Sequence, residues 1–271
     1  MSELESIILG IVQGLTEFLP VSSSGHLELV KALFGDESVP KEGLLFSVVV
    51  HAATALSTIV IFRKDIGSLI YGLFQFEWNE STQYIAKIFL SMIPVGVIGL
   101  AYEDEIEQMF SGNVLLVGMM LLITALLLLF THYARKTDQP VTTFKAFVIG
   151  IAQAIAIFPG ISRSGATIST ALMLRIDKAK AARFSFLMVL IPILGASALK
   201  LKDYLQAPAD EHQMAGSVLF LGFISAFISG LFACTWMLKL VKRGKLIYFA
   251  IYCFIVGTIA IAYSLNVFNS L

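Results

Sequence analysis

Four side chains stand out in this 271-residue sequence because almost everything around them is apolar. Glu17, Ser23 and His26 lie in one stretch, GIVQGLTEFLPVSSSGH at residues 10–26, and Arg163 lies in a second, PGISRSGAT at 159–167. A carboxylate, a hydroxyl and an imidazole together are the equipment of attack at phosphorus with general acid–base assistance. A guanidinium suits bidentate contact with phosphate oxygens. Gln13 stands four residues before Glu17, so the two share a helical face. Their oxygens could ligate a divalent cation, Mg²⁺ or Ca²⁺, with Glu17 as the anionic ligand and Gln13 as a neutral one. An ionisable group in a membrane segment is by default a mark of function.

The two stretches are copies. A shift of 140 positions without a gap lays Gly10, Ile11, Gln13, Phe18, Ser22, Ser24 and Gly25 on Gly150, Ile151, Gln153, Phe158, Ser162, Ser164 and Gly165. The copies differ where the chemistry would be. Ile157 stands opposite Glu17, Arg163 opposite Ser23 and Ala166 opposite His26. One copy holds the acid and the imidazole, the other the cation. Each breaks an apolar helix and restarts it, with new helices expected at Gly25 and Gly165. Helix N-termini bring amide donors and the positive end of a dipole, which together make an anion site. Ser22, Ser24, Ser162, Ser164 and Thr167 are expected to cap those helices or bind phosphate. Gly25, Gly160 and Gly165 permit close approach of backbone to ligand. The anion this suits is a phosphate or diphosphate on a lipid.

These groups must be positioned by membrane helices. The chain is 57% hydrophobic and 14% charged, with mean hydropathy +0.84, which excludes an ordinary soluble domain. A net charge of zero and the lack of a basic, aromatic-interleaved patch give no case for nucleic acid. Cys234 and Cys253 sit in separate apolar segments and read as core. Residues 1–6 carry Glu3 and Glu5 but no Lys or Arg, so no cleavable signal peptide is expected. Residues 7–19 and 25–34 form a hairpin too short to cross, and spans follow at 44–62, 85–101 and 114–131, with an interfacial or short helical piece at 66–83. The second half repeats this order, with a broken hairpin at 146–176 and spans at 184–199, 217–237 and 246–265. Phe46-Ser47 and Lys64-Asp65 recur as Phe184-Ser185 and Lys202-Asp203, each 138 residues later.

Three spans per half is an odd number, so the second half enters from the opposite face. The expected fold is an all-α integral membrane protein of six transmembrane helices plus two re-entrant helical hairpins in an inverted-topology repeat. It forms one membrane domain, 1–271, with repeats at 1–136 and 141–271. The basic turns at Arg63-Lys64, Arg135-Lys136-Lys145, Arg175-Lys178-Lys180-Arg183 and Lys239-Lys242-Arg243-Lys245 then share the cytoplasmic side. The acidic turn at 103–107, both termini and the first hairpin fall on the outer side, and the hairpins meet near the midplane. Lys178, Lys180 and Arg183 are expected to meet anionic headgroups. His51, within the first span, is expected to make an interhelical hydrogen bond, and Gly10 and Gly14 to mark close helix packing.

The Q-x-x-x-E element at Gln13 and Glu17, PVSSSGH at 20–26 and PGISRSGAT at 159–167 resemble the bacterial undecaprenyl-diphosphatase family, also called the bacitracin-resistance protein, over essentially the whole chain. The resemblance implies a phosphatase of the bacterial plasma membrane that removes the terminal phosphate of undecaprenyl diphosphate and regenerates the carrier lipid for cell-wall synthesis. Arg163 and the helix N-termini would hold the diphosphate, Glu17 would activate Ser23 for attack, and His26 would protonate or orient the leaving group. A nucleophilic His26 and a metal-bound water stand as competing versions. Partners are then the lipid diphosphate and membrane lipids, with a second copy of the chain admitted. The rival function is an inverted-repeat transporter or flippase of a lipid phosphate, which would need the anion site but not Ser23 and His26 beside Glu17.

Overall fold

The computed structural model describes residues 1–34, 42–102, 105, 106, 109, 113–134, 138–206 and 215–269. The 35–41 link, Arg135, Lys136 and, in the acidic turn, Glu103, Asp104 and Glu107 lie outside them. Twelve named α-helices carry the fold: α1 (Glu3–Phe18), α2 (Ser23–Phe34), α3 (Glu42–Ile61), α4 (Arg63–Leu73), α5 (Glu80–Ala101), α6 (Val114–Phe130), α7 (Thr143–Ile155), α8 (Arg163–Met173), α9 (Lys178–Met188), α10 (Leu190–Gln206), α11 (Gly216–Arg243) and α12 (Ile247–Asn269). Among the described residues there is no strand, only an isolated bridge between Gln139 and Ile176.

Local chemistry explains where these helices begin and end. Ser2 and Glu5 form a reciprocal capping box at the start of α1. Asn79 and Asn113 accept the Thr82 and Leu116 amides at 3.0 Å and open α5 and α6. The left-handed Gly244 (φ 69°) closes α11 behind Lys242 and Arg243. The 66–83 segment resolves into the short helix α4, bent 77° from α3 at Phe62, and a turn leading to Glu80.

Among the described residues five helical stretches are long and apolar enough to cross a bilayer: Glu80–Ala101, Val114–Tyr133, Lys178–Leu199, Gly216–Arg243 and Ile247–Leu265. The bent pair α3–α4 makes a sixth. Helix α7, with 13 residues, spans only about 20 Å and falls short. Ile93, Val97 and Leu100 recur at helical spacing on α5 and stay exposed, as a lipid-facing stripe requires. The protein is therefore an all-helical, multi-pass membrane protein.

Small residues set the helix pairing. Gly10 and Gly14 on α1 lie against Ser225 and Ser229 of α11, and a β-carbon at either glycine would run into that serine hydroxyl. Both contacts climb in the same chain direction, so α1 and α11 run parallel. Gly150 on α7 meets the backbone of Ser91 on α5 in the same manner, and Gln153 of α7 reaches Met92 of α5, so this pair also rises together. Helix α3 follows α11, with Phe46 against Gly222 and Ser57 donating to the Phe227 carbonyl at 2.9 Å. Helices α6 and α12 cross antiparallel through Gly118 and Gly257. The main core, with Phe184, Leu121, Leu128, Ile149, Ile168, Met188 and Met237 fully buried, draws on both halves of the chain, from Phe18 of α1 to Cys253 of α12.

Two basic residues of α9 have acidic partners within the chain. Lys180 pairs with Asp138 at 2.9 Å. Arg183 pairs with Asp65 of α4 at 2.7 Å and lies 5.2 Å from the Tyr84 ring centre. Carboxylates of this chain engage these two cations, Arg183 across α9 and α4 and Lys180 to the connection before α7.

Candidate active site

Each broken helix is rebuilt by a serine cap, and restarts two residues before the glycine expected. Ser22 and Ser162 are the caps, and the new helices begin at Ser23 and Arg163, not at Gly25 and Gly165. The Ser22 hydroxyl accepts the Gly25 amide at 3.2 Å, and the Ser162 hydroxyl accepts the Gly165 amide at 3.1 Å. Ser23 and Arg163, the one pair at which the copies swap hydroxyl for cation, therefore both occupy the first helical position. Ser22 holds a positive φ of 71°, and Gly160 one of 97°. A left-handed serine costs about 1–2 kcal/mol. Its carbonyl receives the His26 amide at 3.1 Å and His26 Nδ1 at 2.8 Å.

The two breaks touch. A β-carbon on Gly25 would lie 3.1 Å from Gly160 Cα, and one on Gly165 would lie 3.4 Å from Pro20 Cβ. Ser164 donates to the Leu19 carbonyl at 3.2 Å. Thr124 of α6 stitches the second break, donating to the Gly160 carbonyl at 3.1 Å and accepting the Ser162 amide at 3.0 Å.

Glu17 is the hub. Its Oε2 accepts the Ser23 hydroxyl at 2.8 Å and the Gln13 amide at 2.8 Å. Its Oε1 accepts Arg163 Nη2 across the contact between the breaks. Gln13 Nε2 also lies 2.9 Å from His51 Nδ1, and that ring nitrogen lies 3.6 Å from Glu17 Oε2. The carboxylate is 6% exposed as a residue, so its negative charge is balanced by Arg163 and by hydrogen bonds rather than by water. Beside it lies a narrow recess lined by both polar side chains, Glu17, Arg163, Ser164, Thr54, Thr58 and Ser185, and apolar ones, Phe18, Phe186, Val189 and Ile193.

Glu17, Ser23, Arg163 and Gln13 come together directly. His26 lies three residues after Ser23, on the same face of α2, and its Nε2 meets the Tyr252 hydroxyl of α12 at 2.8 Å. Ser24 contacts the Ser22 hydroxyl at 3.4 Å and Ser164 that of Ser162 at 3.3 Å. Thr167 turns its hydroxyl to Ser185 at 2.6 Å and to the Arg163 carbonyl at 2.9 Å, both within the protein. His51, Thr124, Ser185 and Tyr252 were not assigned to the site from sequence. The one signal was His51 itself, an imidazole in an apolar span; its interhelical hydrogen bond is present and ends at the site.

Among the described residues no group of three or more His, Cys, Asp or Glu side chains gathers to hold a metal ion, and Gln13 turns its amide nitrogen to Glu17. The Gln13 Oε1 atom is buried and has no hydrogen-bond partner, beside a carboxylate at the edge of the recess. One carboxylate, an amide oxygen and the oxygens of a bound phosphate are an ordinary Mg²⁺ or Ca²⁺ environment.

The sequence is similar to known proteins over nearly its whole length. The family model described as bacitracin resistance protein BacA matches residues 6–259. An undecaprenyl-diphosphatase of Christiangramia forsetii is 56% identical over 97% of this chain and 99% of that protein. One from Bacteroides fragilis is 51% identical over the same shares, and one from Methanosphaera stadtmanae is 39% identical over 96% of this chain and 98% of its own. With the two motifs in register and the match running from the first hairpin into the last helix, the chain belongs to the bacitracin resistance protein BacA family.

Proposed function

We propose that this protein is an integral membrane phosphatase that removes the terminal phosphate of undecaprenyl diphosphate, giving undecaprenyl phosphate for reuse as carrier lipid. The observation that carries the reading is Glu17, which holds the Ser23 hydroxyl on one oxygen and Arg163 of the other hairpin on the other. The names of relatives covering nearly the full chain support it.

In the proposed mechanism Arg163 keeps Glu17 and turns its remaining guanidinium donors to the terminal phosphate, with the first-turn amides of α2 and α8 beside it. Ser23 Oγ attacks that phosphorus while its proton passes to Glu17 Oε2, and the bridging oxygen leaves with undecaprenyl phosphate. Water then attacks the phosphoserine, phosphate departs, and Ser23 recovers its proton. A divalent cation, held by Glu17 and Gln13 Oε1, would supply charge neutralisation at the phosphate oxygens. Arg163 and the helix dipoles stabilise the equatorial charge of the transition state. His26 serves the leaving group. Both of its nitrogens are engaged, by the Ser22 carbonyl and the Tyr252 hydroxyl, which favours Ser23 over His26 as the nucleophile.

The pairing of helices supports an inverted repeat, residues 1–136 and 141–271, with re-entrant hairpins α1–α2 and α7–α8. Under that relation α1 corresponds to α7 and α11 to α5, and α1 packs parallel on α11 as α7 does on α5. A chain with α1 entering from the outside runs both pairs parallel and α6 antiparallel to α12, as observed. The reading puts the site toward the outer face of the plasma membrane, with both termini on that side. Transport has no use for the Ser23–Glu17 hydrogen bond.

The test is phosphate release from undecaprenyl diphosphate by purified protein in detergent, with Mg²⁺ or Ca²⁺. Turnover lost in Glu17→Ala and Arg163→Ala is expected. A folded wild-type sample that binds the lipid and releases no phosphate would refute the hydrolase.

A further inference from the structure

Among its contacts with the first hairpin, the second repeat reaches two of the candidate catalytic groups. Arg163 meets Glu17, and Tyr252, on α12, meets His26. The first contact joins the two motifs; the second involves a residue in neither. We propose that Tyr252 is a positioning residue of the reaction, whose hydroxyl holds His26 in one tautomer and one ring orientation beside Ser23.

The tautomer follows from the partners. His26 Nδ1 lies 2.8 Å from the Ser22 carbonyl, which can only accept, so Nδ1 carries the proton. In the neutral ring Nε2 is then a bare lone pair, and a buried lone pair at 8% residue exposure needs a donor. The Tyr252 hydroxyl, 2.8 Å away, donates to it. The phenol ring also lies nearly parallel to the imidazole, at 12° and 5.6 Å between centroids, which fixes the plane as well as the end of the ring. The Ser22 carbonyl thus meets one ring nitrogen and the Tyr252 hydroxyl the other, with the Val21 backbone also within hydrogen-bond reach of the ring. Protonation of His26 reverses the second bond: Nε2–H donates to the phenol oxygen, and no partner must move. The pair accepts or releases a proton without repacking, which is what an imidazole serving a leaving group requires.

Tyr252 is itself 42% exposed, so its ring is not a core element whose trimming would collapse the fold. Tyr252→Phe keeps the ring stacking and removes only the donor. Loss of one such hydrogen bond in a positioning role is expected to lower kcat about 3- to 10-fold, with KM within twofold, since the phosphate is held by Arg163 and the helix N-termini. In a His26→Ala background the same change should have no further effect.

The proposal rests on the phosphatase reading, and the experiment separates the two. Phosphate release from undecaprenyl diphosphate is measured for wild type, Tyr252→Phe, His26→Ala, the double variant and Glu17→Gln, alongside ¹⁵N-histidine NMR, with the His26 signal assigned by its loss in His26→Ala. Expected are an Nδ1–H tautomer at His26 in wild type, a kcat loss in Tyr252→Phe that vanishes without His26, and loss of turnover in Glu17→Gln. Wild-type turnover in Glu17→Gln would overturn the site and Tyr252 with it. Turnover lost in Glu17→Gln but unchanged in Tyr252→Phe, or losses that add in the double variant, would overturn Tyr252 alone. An Nε2–H tautomer in the wild-type spectrum would do so even if Tyr252→Phe failed to fold.

Discussion

Thr124 belongs to neither motif, yet it should govern the second break. Its hydroxyl is fully buried on α6, donates to the Gly160 carbonyl and accepts the Ser162 amide. Thr124→Val keeps the shape and removes both bonds, leaving a buried carbonyl and a buried amide without this partner. Each orphaned group costs about 1–3 kcal/mol, and the valine recovers part of this because no hydroxyl need be desolvated, so a net loss of about 2–4 kcal/mol is expected. Ser162 precedes Arg163 directly, so relaxation of the break moves the guanidinium off Glu17. If about half the lost energy acts on that position, kcat falls about 5- to 30-fold at 1.36 kcal/mol per tenfold. The assay is the thermal midpoint in detergent together with kcat and KM for phosphate release. Thr124→Ser retains both bonds and loses one methyl, about 0.8 kcal/mol, and should restore most of the turnover. A Thr124→Val protein with wild-type midpoint and turnover would refute the reasoning, as would a serine variant equally impaired.

Glu17→Gln keeps the side-chain shape but removes the base and leaves Arg163 without its anion. Turnover should drop about 10²- to 10⁴-fold, and Arg163→Met added to it should cost little further activity, which double-mutant kinetics will check. Gly160→Ala would place a β-carbon 2.6 Å from the Val117 carbonyl and 2.7 Å from Met120 Cβ at φ 97°. It should destabilise by about 2–5 kcal/mol from left-handed strain and overpacking. Gly67→Ala, in an exposed helix with nothing near its β-carbon, should stabilise by up to about 1 kcal/mol. Thermal midpoints of the two variants give the comparison.

The sequence exposed those parts of the site that membrane burial makes conspicuous. Glu17, Arg163 and the serine caps are legible because polar groups in apolar helices have few structural uses, and because a duplicated motif marks them twice. The helices start two residues before the glycines, at Ser23 and Arg163 rather than Gly25 and Gly165. The caps put the boundary at Ser22 and Ser162, where the side-chain oxygen can reach the amide three residues on. His51, Thr124 and Tyr252 come from spans whose local pattern is continuous with lipid-facing sequence. Their roles depend on which helices pair, and that pairing is set by the small-residue seams at Gly10, Gly14, Gly118 and Gly150. Lys180 and Arg183 fit the charge pattern of a membrane surface, while their partners Asp138 and Asp65 are far off in sequence.

The duplication also explains why the site is single. Gln13 and Gln153 are equivalent, both are buried, and both leave the amide oxygen without a hydrogen bond. Gln13 donates to Glu17; Gln153 faces the sulfur of Met92 at 3.9 Å. Two intact copies would set Glu17-type carboxylates and Arg163-type cations against their twins across the contact of the breaks, where Gly25 already meets Gly160. Two carboxylates at that depth would repel, and each would need its own cation. Dividing the equipment avoids this. With Ile157 and Ala166 in place of acid and imidazole, the second hairpin brings a cation and no competing base, and the first brings a base whose charge that cation balances. The ion pair at the proposed site is thus also one of the contacts that join the halves, which is why its loss should be felt in folding and turnover at once.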